Sequence, residues 1–139
     1  MPKHLAPALF GLPVVLALAA PALVLGQTTS TLSRDQYRAA KARIEAESDA
    51  AEARCAALRG SAKDICEEEA DGREKIAEAE LEQQYKPSPR NARKLAQARI
   101  EAEYELALER CDALEGAAEK NCEKEAEARR TQSRTQLRR

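Results

Sequence analysis

The stretch ARIEAESDAAEARCAALRGSAKDICEEEADGRE, residues 42 to 74, occurs twice in the chain. Residues 98 to 130, ARIEAEYELALERCDALEGAAEKNCEKEAEARR, align with it without gaps at an offset of 56, and eighteen of the thirty-three positions are identical. Helix-like composition alone would produce scattered Ala and Glu matches, but it would not place two cysteines and a glycine in register. The chain therefore contains two tandem copies of one structural unit.

Composition favours helix in both copies. Ala, Glu, Arg, Lys and Leu dominate the chain after residue 26 and β-branched residues are few, so helix is the only regular structure with a strong local preference. Gly60 and Gly116 suit a chain reversal inside each copy, and Pro87 ends the second helix. We expect an all-α fold of two tandem helical hairpins, with four helices over about 34–59, 62–85, 89–115 and 118–135.

Capping signals mark the helix starts. Ser33, with Gln36 in the capping-box position, precedes the first helix, and Ser88 stands before a proline at the start of the third. Ser61 is the predicted cap of the second helix. Ala117 replaces that serine in the second copy, so the second turn is expected to be less well specified.

One stripe of each copy's first helix is expected to be buried, because its residues recur at helical spacing. In the first copy the stripe is Tyr37, Ile44, Ala51, Cys55 and Leu58, and in the second it is Ile100, Tyr104, Ala107, Cys111 and Leu114. The cysteines therefore point toward the predicted core.

The first 26 residues are typical of a secretory signal peptide. Residues 5 to 26 carry no charge and are rich in Leu, Val and Ala, behind Lys3, which predicts cleavage after Gly26, or earlier after Ala22. The alternative is an uncleaved membrane anchor, since the stretch is long enough to span a bilayer, although its three prolines argue against this. We expect a periplasmic or secreted protein in an oxidising compartment.

The only histidine, His4, lies in that predicted leader. Without it the mature chain lacks the parts of a Ser-His-Asp or Cys-His system, a histidine metal site and a histidine general base. Its carboxylates are interspersed with lysines and arginines, in no aromatic or glycine-rich setting that suggests a pocket. We expect a protein that is not an enzyme and uses no cofactor, no metal and no small-molecule substrate.

The cysteines allow three connectivities. If the chain turns at each glycine, Cys55 faces Cys66 and Cys111 faces Cys122, with Cα atoms at about 5–6 Å. If the helices instead run through the glycines, positions eleven apart lie ~16 Å apart, and a reversal at the proline link pairs Cys55 with Cys122 and Cys66 with Cys111. The first pairing is favoured because Gly60 and Gly116 have a role in a turn but none in an unbroken helix. Zinc binding is disfavoured, because no Cys-x-x-Cys pair is present.

These motifs resemble a group of exported proteobacterial proteins, sometimes labelled TolA-like or envelope-biogenesis proteins, built from helical repeats with a Cys-x10-Cys unit. The resemblance spans about residues 35 to 130 through Arg-Ile-Glu-Ala, Cys-x-Ala-Leu-x-Gly-x-Ala, Cys-Glu and Glu-Ala, and it includes the Pro-Ser-Pro link. It implies an exported envelope protein and brings no catalytic residues. Gly72 and Asn121 depart from the pattern, which predicts slightly irregular packing.

Two stretches are basic and free of acids, residues 86 to 99 and 128 to 139. One hypothesis is a polyanion-binding surface. Its residues are Lys86, Arg90, Arg93, Lys94, Arg129, Arg130, Arg134, Arg138 and Arg139. The alternative is a charged linker together with cations that favour a helix C-terminus and a frayed tail.

The predicted organisation is a signal peptide (1–26), a flexible N-terminus (27–33), a first hairpin (34–85), a proline-rich link (86–90), a second hairpin (91–130) and a basic tail (131–139). The favoured function is a structural or interaction protein of the bacterial envelope, with an envelope protein or a polyanion as partner. The alternative is a stress-related binder, either a holdase-like chaperone or an inhibitor of an envelope enzyme. Homo-oligomerisation would bury the thin apolar stripes.

Overall fold

A computed structural model describes residues 31–139, and the predicted signal peptide and residues 27–30 lie outside them. Four α-helices follow one another: α1 Arg34–Cys55, α2 Ser61–Tyr85, α3 Pro89–Asp112 and α4 Ala117–Leu137. No strand occurs in this part of the chain. The predicted all-α fold of two tandem hairpins is confirmed, and α4 extends through most of the predicted basic tail.

Two helix starts are capped as their sequences predict. The Ser33 hydroxyl accepts a hydrogen bond from the Gln36 N–H, and the Gln36 side chain accepts one from the Ser33 N–H at 2.8 Å. Ser88 caps α3 in the same way by accepting from the Asn91 N–H at 3.1 Å, and Pro89 is the first helical residue. Each cap satisfies a backbone N–H that has no partner inside its helix.

The two glycine turns are alike. Gly60 and Gly116 have φ of 56° and 63°, a region that strains residues with a Cβ. The prediction that Ser61 caps α2 was wrong: Gly60 occupies the N-cap position and the chain enters the helix at Ser61, which places the hydroxyl past the capping position. Ala117 lies at the same position of α4, so the missing serine does not distinguish the two turns.

The buried stripes are shorter than predicted. Leu58 and Leu114 are 40% and 43% exposed, because α1 and α3 end at Cys55 and Asp112, before the chain reaches these leucines. Short backbone hydrogen bonds, such as that from the Leu58 N–H to the Cys55 carbonyl at 2.8 Å, close the helix end instead. These leucines belong to the turns and not to the core.

Each helix contacts only its neighbours in sequence: α1 with α2, α2 with α3, and α3 with α4. The most extensive of these interfaces is α2–α3, which joins the two copies across the proline link. Within residues 31–139, α1 and α4 do not contact one another, so the helices form an open layer and not a closed four-helix bundle. We call α2 and α3 the inner helices and α1 and α4 the edge helices.

The core is built mainly from small residues. Its buried apolar members are Ala51, Cys55, Ala70, Leu81, Ala102, Cys111 and Ala126. Gly72 of α2 is also buried, and a Cβ added to it would lie 3.1 Å from the Ala102 Cβ of α3. The absent side chain therefore lets the inner helices approach closely, which explains one departure from the repeat pattern. The other, Asn121, is exposed on an edge helix.

Candidate interaction surfaces

The disulfides link Cys55 to Cys66 and Cys111 to Cys122, each with a Cα–Cα distance of 5.5 Å. The pairing within each copy is confirmed, the pairing across copies does not form, and no cysteine remains free to bind zinc. Both bridges lie at one end of the layer, beside the glycine turns, which we call the disulfide end. Structural disulfides of this kind indicate an oxidising compartment.

The opposite end of the layer, which we call the proline end, gathers the start of α1, the proline link and the end of α4. This follows from the antiparallel order of the helices. Tyr37 near the start of α1 donates a hydrogen bond to Glu82 near the end of α2, and this bond raises the pKa of Tyr37. Arg99 of α3 pairs with Glu80 of α2. Residues distant in sequence therefore lie side by side at this end.

Charge is strongly segregated along the layer. The half at the proline end, residues 34–44, 76–100 and 132–139, carries twelve Lys and Arg against four Asp and Glu. The half at the disulfide end, residues 45–75 and 101–131, carries ten Lys and Arg against twenty acids. The side chains of the two halves therefore sum to +8 and −10 at neutral pH, although the whole chain is nearly neutral.

Most cations of the proline half form no salt bridge within residues 31–139. Four of the twelve make salt bridges, namely Lys41, Arg43, Arg99 and Arg134. The other eight are exposed and make no salt bridge within residues 31–139. They are Arg34, Arg38, Lys86, Arg90, Arg93, Lys94, Arg138 and Arg139. We call these eight residues the basic end.

The nine cations of the polyanion hypothesis divide into two groups. Six belong to the basic end, whereas Arg129 pairs with Glu125 at 4.0 Å, and Arg130 and Arg134 both pair with Glu101. Sequence reasoning missed Arg34 and Arg38, because they lie about fifty residues before the basic link and only the antiparallel order brings them to the same end. No local pattern identifies them.

Glu101 is the acidic centre of the α3–α4 interface. Its carboxylate accepts hydrogen bonds from Arg130 at 2.5 Å and Arg134 at 2.8 Å. Burial acts to raise the pKa of Glu101, but the hydrogen bonds from the two arginines outweigh it and lower the pKa. The Arg130 guanidinium also lies over the Tyr104 ring, 4.3 Å from its centroid, a favourable cation–π contact. Arg130 and Arg134 therefore stabilise the contact between α4 and α3.

The cations at the start of α3 differ from those at the end of α4. Arginines in the last turn of α4 are favourable, because the C-terminus of a helix carries partial negative charge. The first turn of α3 contains no acid, and Arg90, Arg93 and Lys94 lie near its partially positive N-terminus. The helix dipole therefore favours the arginines at the end of α4 and opposes Arg90 in the first turn of α3.

Two groups of acids lie close together in the disulfide half. Carboxylate oxygens of Glu68, Asp71 and Glu105 lie within 4.8 Å of one another. The Lys75 ammonium bonds to Asp71 at 2.6 Å and to Glu105 at 2.9 Å, so a side-chain cation already compensates this group. Burial and the nearby Glu105 raise the pKa of Glu68, and its Oε1 is buried without a hydrogen-bond partner. The second group is Asp112, Glu119 and Glu123.

One face of the layer is grooved between successive helices. Ile76 lines both the α1–α2 and α2–α3 grooves, and Leu106 lines both the α2–α3 and α3–α4 grooves. Ile44 and Ile100 lie in the outer two grooves, and all four apolar side chains are half-buried. The grooves also contain arginines and glutamates of balanced charge, so this face is broad, shallow and of mixed polarity.

No protein family, curated protein or solved structure matches the chain. None of the four helices within residues 31–139 combines the length and apolarity that crossing a membrane requires.

Proposed function

We propose that this chain is an exported structural or interaction protein of the bacterial envelope, without catalytic activity, directed there by the signal peptide predicted over residues 1–26. The observation that carries the proposal is the open layer. A single layer of four helices presents two broad faces and two ends to solvent, which favours binding to extended surfaces over enclosing a small molecule.

The disulfides support the same role. The core contains few large side chains, so the layer obtains little hydrophobic stabilisation per residue. Each bridge closes a loop of about twelve residues, which stabilises the fold by about 3 kcal/mol through loss of unfolded-state entropy. A thin helical layer with a bridge in each hairpin is suited to act as a spacer or docking surface outside the cytoplasm.

Export and oxidation are testable in a bacterial host. We expect the full chain to be recovered from the envelope fraction with all four cysteines resistant to alkylation before reduction. A variant lacking residues 2–26 is the control, and it should stay in the cytoplasm with alkylatable thiols. Recovery of the full chain in the cytoplasm with free thiols would contradict the proposal.

One observation favours a second candidate, a holdase-like binder. The half-buried Ile44, Ile76, Ile100 and Leu106 on the grooved face offer apolar contacts to an unfolding client. A holdase suppresses aggregation of a heated client at near-equimolar ratio, and an Ile76→Glu variant would then lose this effect while Leu114→Glu, in a turn, would keep it. The spacer proposal expects no suppression by the wild-type protein or by either variant.

A further inference from the structure

The helix dipole accounts for only two of the eight cations of the basic end, Arg138 and Arg139, which follow the last turn of α4. All eight come from the start of α1, the link after α2, the start of α3 and the end of α4, and they make no salt bridge within residues 31–139. Two others, Arg34 in the first turn of α1 and Arg90 in the first turn of α3, lie where a helix dipole opposes positive charge. An anion bound at this end would neutralise the cations and interact favourably with the α3 N-terminus.

The structure assigns the basic end to the phosphate-bearing surface of an anionic phospholipid bilayer. Four adjacent helices spaced by 8–10 Å make an edge roughly 30–40 Å wide, and the cations are distributed along that edge instead of around one cavity. A row of exposed Lys and Arg suits a flat anionic surface, where each contributes separately to binding. The inference names a partner for the interaction role proposed above and rests on that role.

Single-stranded nucleic acid is the less suitable polyanion. Binding of single strands relies on aromatic rings that are free to stack on bases. The two rings nearest the basic end, Tyr37 and Tyr85, stack on one another with centroids 4.4 Å apart, and Lys86 lies over the Tyr85 ring at 5.2 Å. Both rings therefore have partners within the protein.

Charge segregation also predicts an orientation on the bilayer. With side chains summing to +8 at the proline half and −10 at the disulfide half, the anionic surface attracts one end and repels the other. The layer would stand with its helices directed away from the bilayer, its grooved face accessible and its disulfides at the outer end.

Binding of the oxidised protein, residues 27–139, to vesicles tests the inference. Vesicles of 70% phosphatidylcholine and 30% phosphatidylglycerol should bind the protein at 50 mM NaCl and release most of it at 500 mM, whereas pure phosphatidylcholine vesicles should not bind it. The triple variant Arg90→Glu, Arg93→Glu, Lys94→Glu should bind at least about a hundredfold more weakly, since each surface cation contributes about 1 kcal/mol.

A matched control separates this surface from net charge. The variant Arg59→Glu, Lys120→Glu, Lys124→Glu changes the total charge equally. It reverses three exposed cations of the disulfide half that form no salt bridge within the described part of the chain. It should bind as the wild type does or more weakly by less than about threefold.

Acids in the first turn favour a helix, so the α3 variant should fold. A second variant, Arg34→Gln, Arg38→Gln, tests the cations of α1. It should bind about thirtyfold more weakly than the wild type.

Equal losses in the two triple variants, or binding that 500 mM NaCl leaves unchanged, would overturn the inference. So would a short duplex DNA that displaces the protein from vesicles at submicromolar concentration, because it would identify nucleic acid as the preferred anion. The vesicle assay uses purified protein, so its failure is distinguishable from failure of the export and oxidation test.

Discussion

The two copies share eighteen of thirty-three aligned residues and the same disulfide, yet equivalent positions have different surroundings. Gly72 of the first copy is buried against α3, whereas its counterpart Ala128 is exposed on α4. In the first helix of each copy it is the second copy that has the buried residue. Ala102 is buried on α3, whereas its counterpart Ala46 is exposed on α1.

The difference shows that a helix's place in the layer, as well as its place in the repeat, determines its contacts. Each copy contributes one inner and one edge helix, but in opposite order: α2 is inner in the first copy and α3 in the second. Comparing an inner position with its repeat counterpart on an edge helix therefore tests the layer while keeping the local sequence nearly constant.

Reduction of both disulfides should have the largest effect, about 3 kcal/mol for each bridge, and should act mainly on the edge helices. Each edge helix has one neighbour and is covalently tied to it, whereas the interface of the inner helices contains no bridge. Hydrogen exchange followed by mass spectrometry should show α1 and α4 losing protection first, with a fall in helical circular dichroism.

Uniform loss of protection across the four helices would show that the inner pair has no independent stability. Circular dichroism unchanged by reductant would contradict the structural role of the bridges altogether.

Replacing Gly72 by Leu should destabilise the fold by about 2–3 kcal/mol, because the side chain would be forced into the contact with Ala102. The matched change Ala128→Leu, on the exposed side of α4, should alter the free energy of unfolding by less than about 0.5 kcal/mol. Urea unfolding followed by circular dichroism measures both. Similar values for the two variants would be inconsistent with α2 being an inner helix.

The next comparison is between Glu101 and its repeat counterpart Glu45. Glu101→Gln should cost about 1 kcal/mol at pH 7, because the carboxylate accepts bonds from Arg130 and Arg134 while remaining partly exposed. Glu45→Gln should cost about 0.3 kcal/mol, since Glu45 has only an exposed bond to Lys41 at 3.6 Å.

The effect of Glu101→Gln should depend on pH. Because the pKa of folded Glu101 is lowered below its ordinary value of 4.5, its ionised form stabilises the fold above that value, and the contribution is lost as pH falls through the folded pKa. The two unfolding curves should therefore converge in acid. A difference that stays constant from pH 7 to pH 3 would mean that the carboxylate charge is irrelevant.

The last comparison predicts a gain in stability. Glu68 of α2 has a buried oxygen without a partner, and burial together with Glu105 raises its pKa. Ionised Glu68 is therefore unfavourable in the folded state, and Glu68→Gln should stabilise by about 0.5 kcal/mol at pH 7. The gain should shrink as pH falls through the raised pKa. Its counterpart Lys124 is exposed on α4, and Lys124→Gln should leave stability unchanged.

Local signals account for the successful predictions of the fold. The capping serines, the glycine turns and the cysteine spacing each act within a dozen residues, and the structure bears out all except Ser61. Leu58 and Leu114 were misplaced because helical spacing was continued past the point where the helix ends. Spacing predicts a stripe only while the backbone remains helical.

The open layer could not be predicted, because alanine packs acceptably on any face of a helix and so leaves the number of neighbours unspecified. Gly72 was the one signal of a second neighbour on α2, and it could be recognised only as a departure from the repeat. The basic end also required the antiparallel order of the helices. The sequence alone does not indicate that Arg34 lies at the same end of the layer as Arg93 and Arg138.

The absence of a contact between α1 and α4 within residues 31–139 has a further consequence. Among the described residues nothing covers the outer lateral side of either edge helix, so such a layer can be widened without changing its existing contacts. Another 56-residue unit added beside α4 would bring its own bridge and widen the array by two helices, roughly 16–20 Å. The width of the layer would then increase in fixed steps with the number of repeat units, as it does in solenoid proteins.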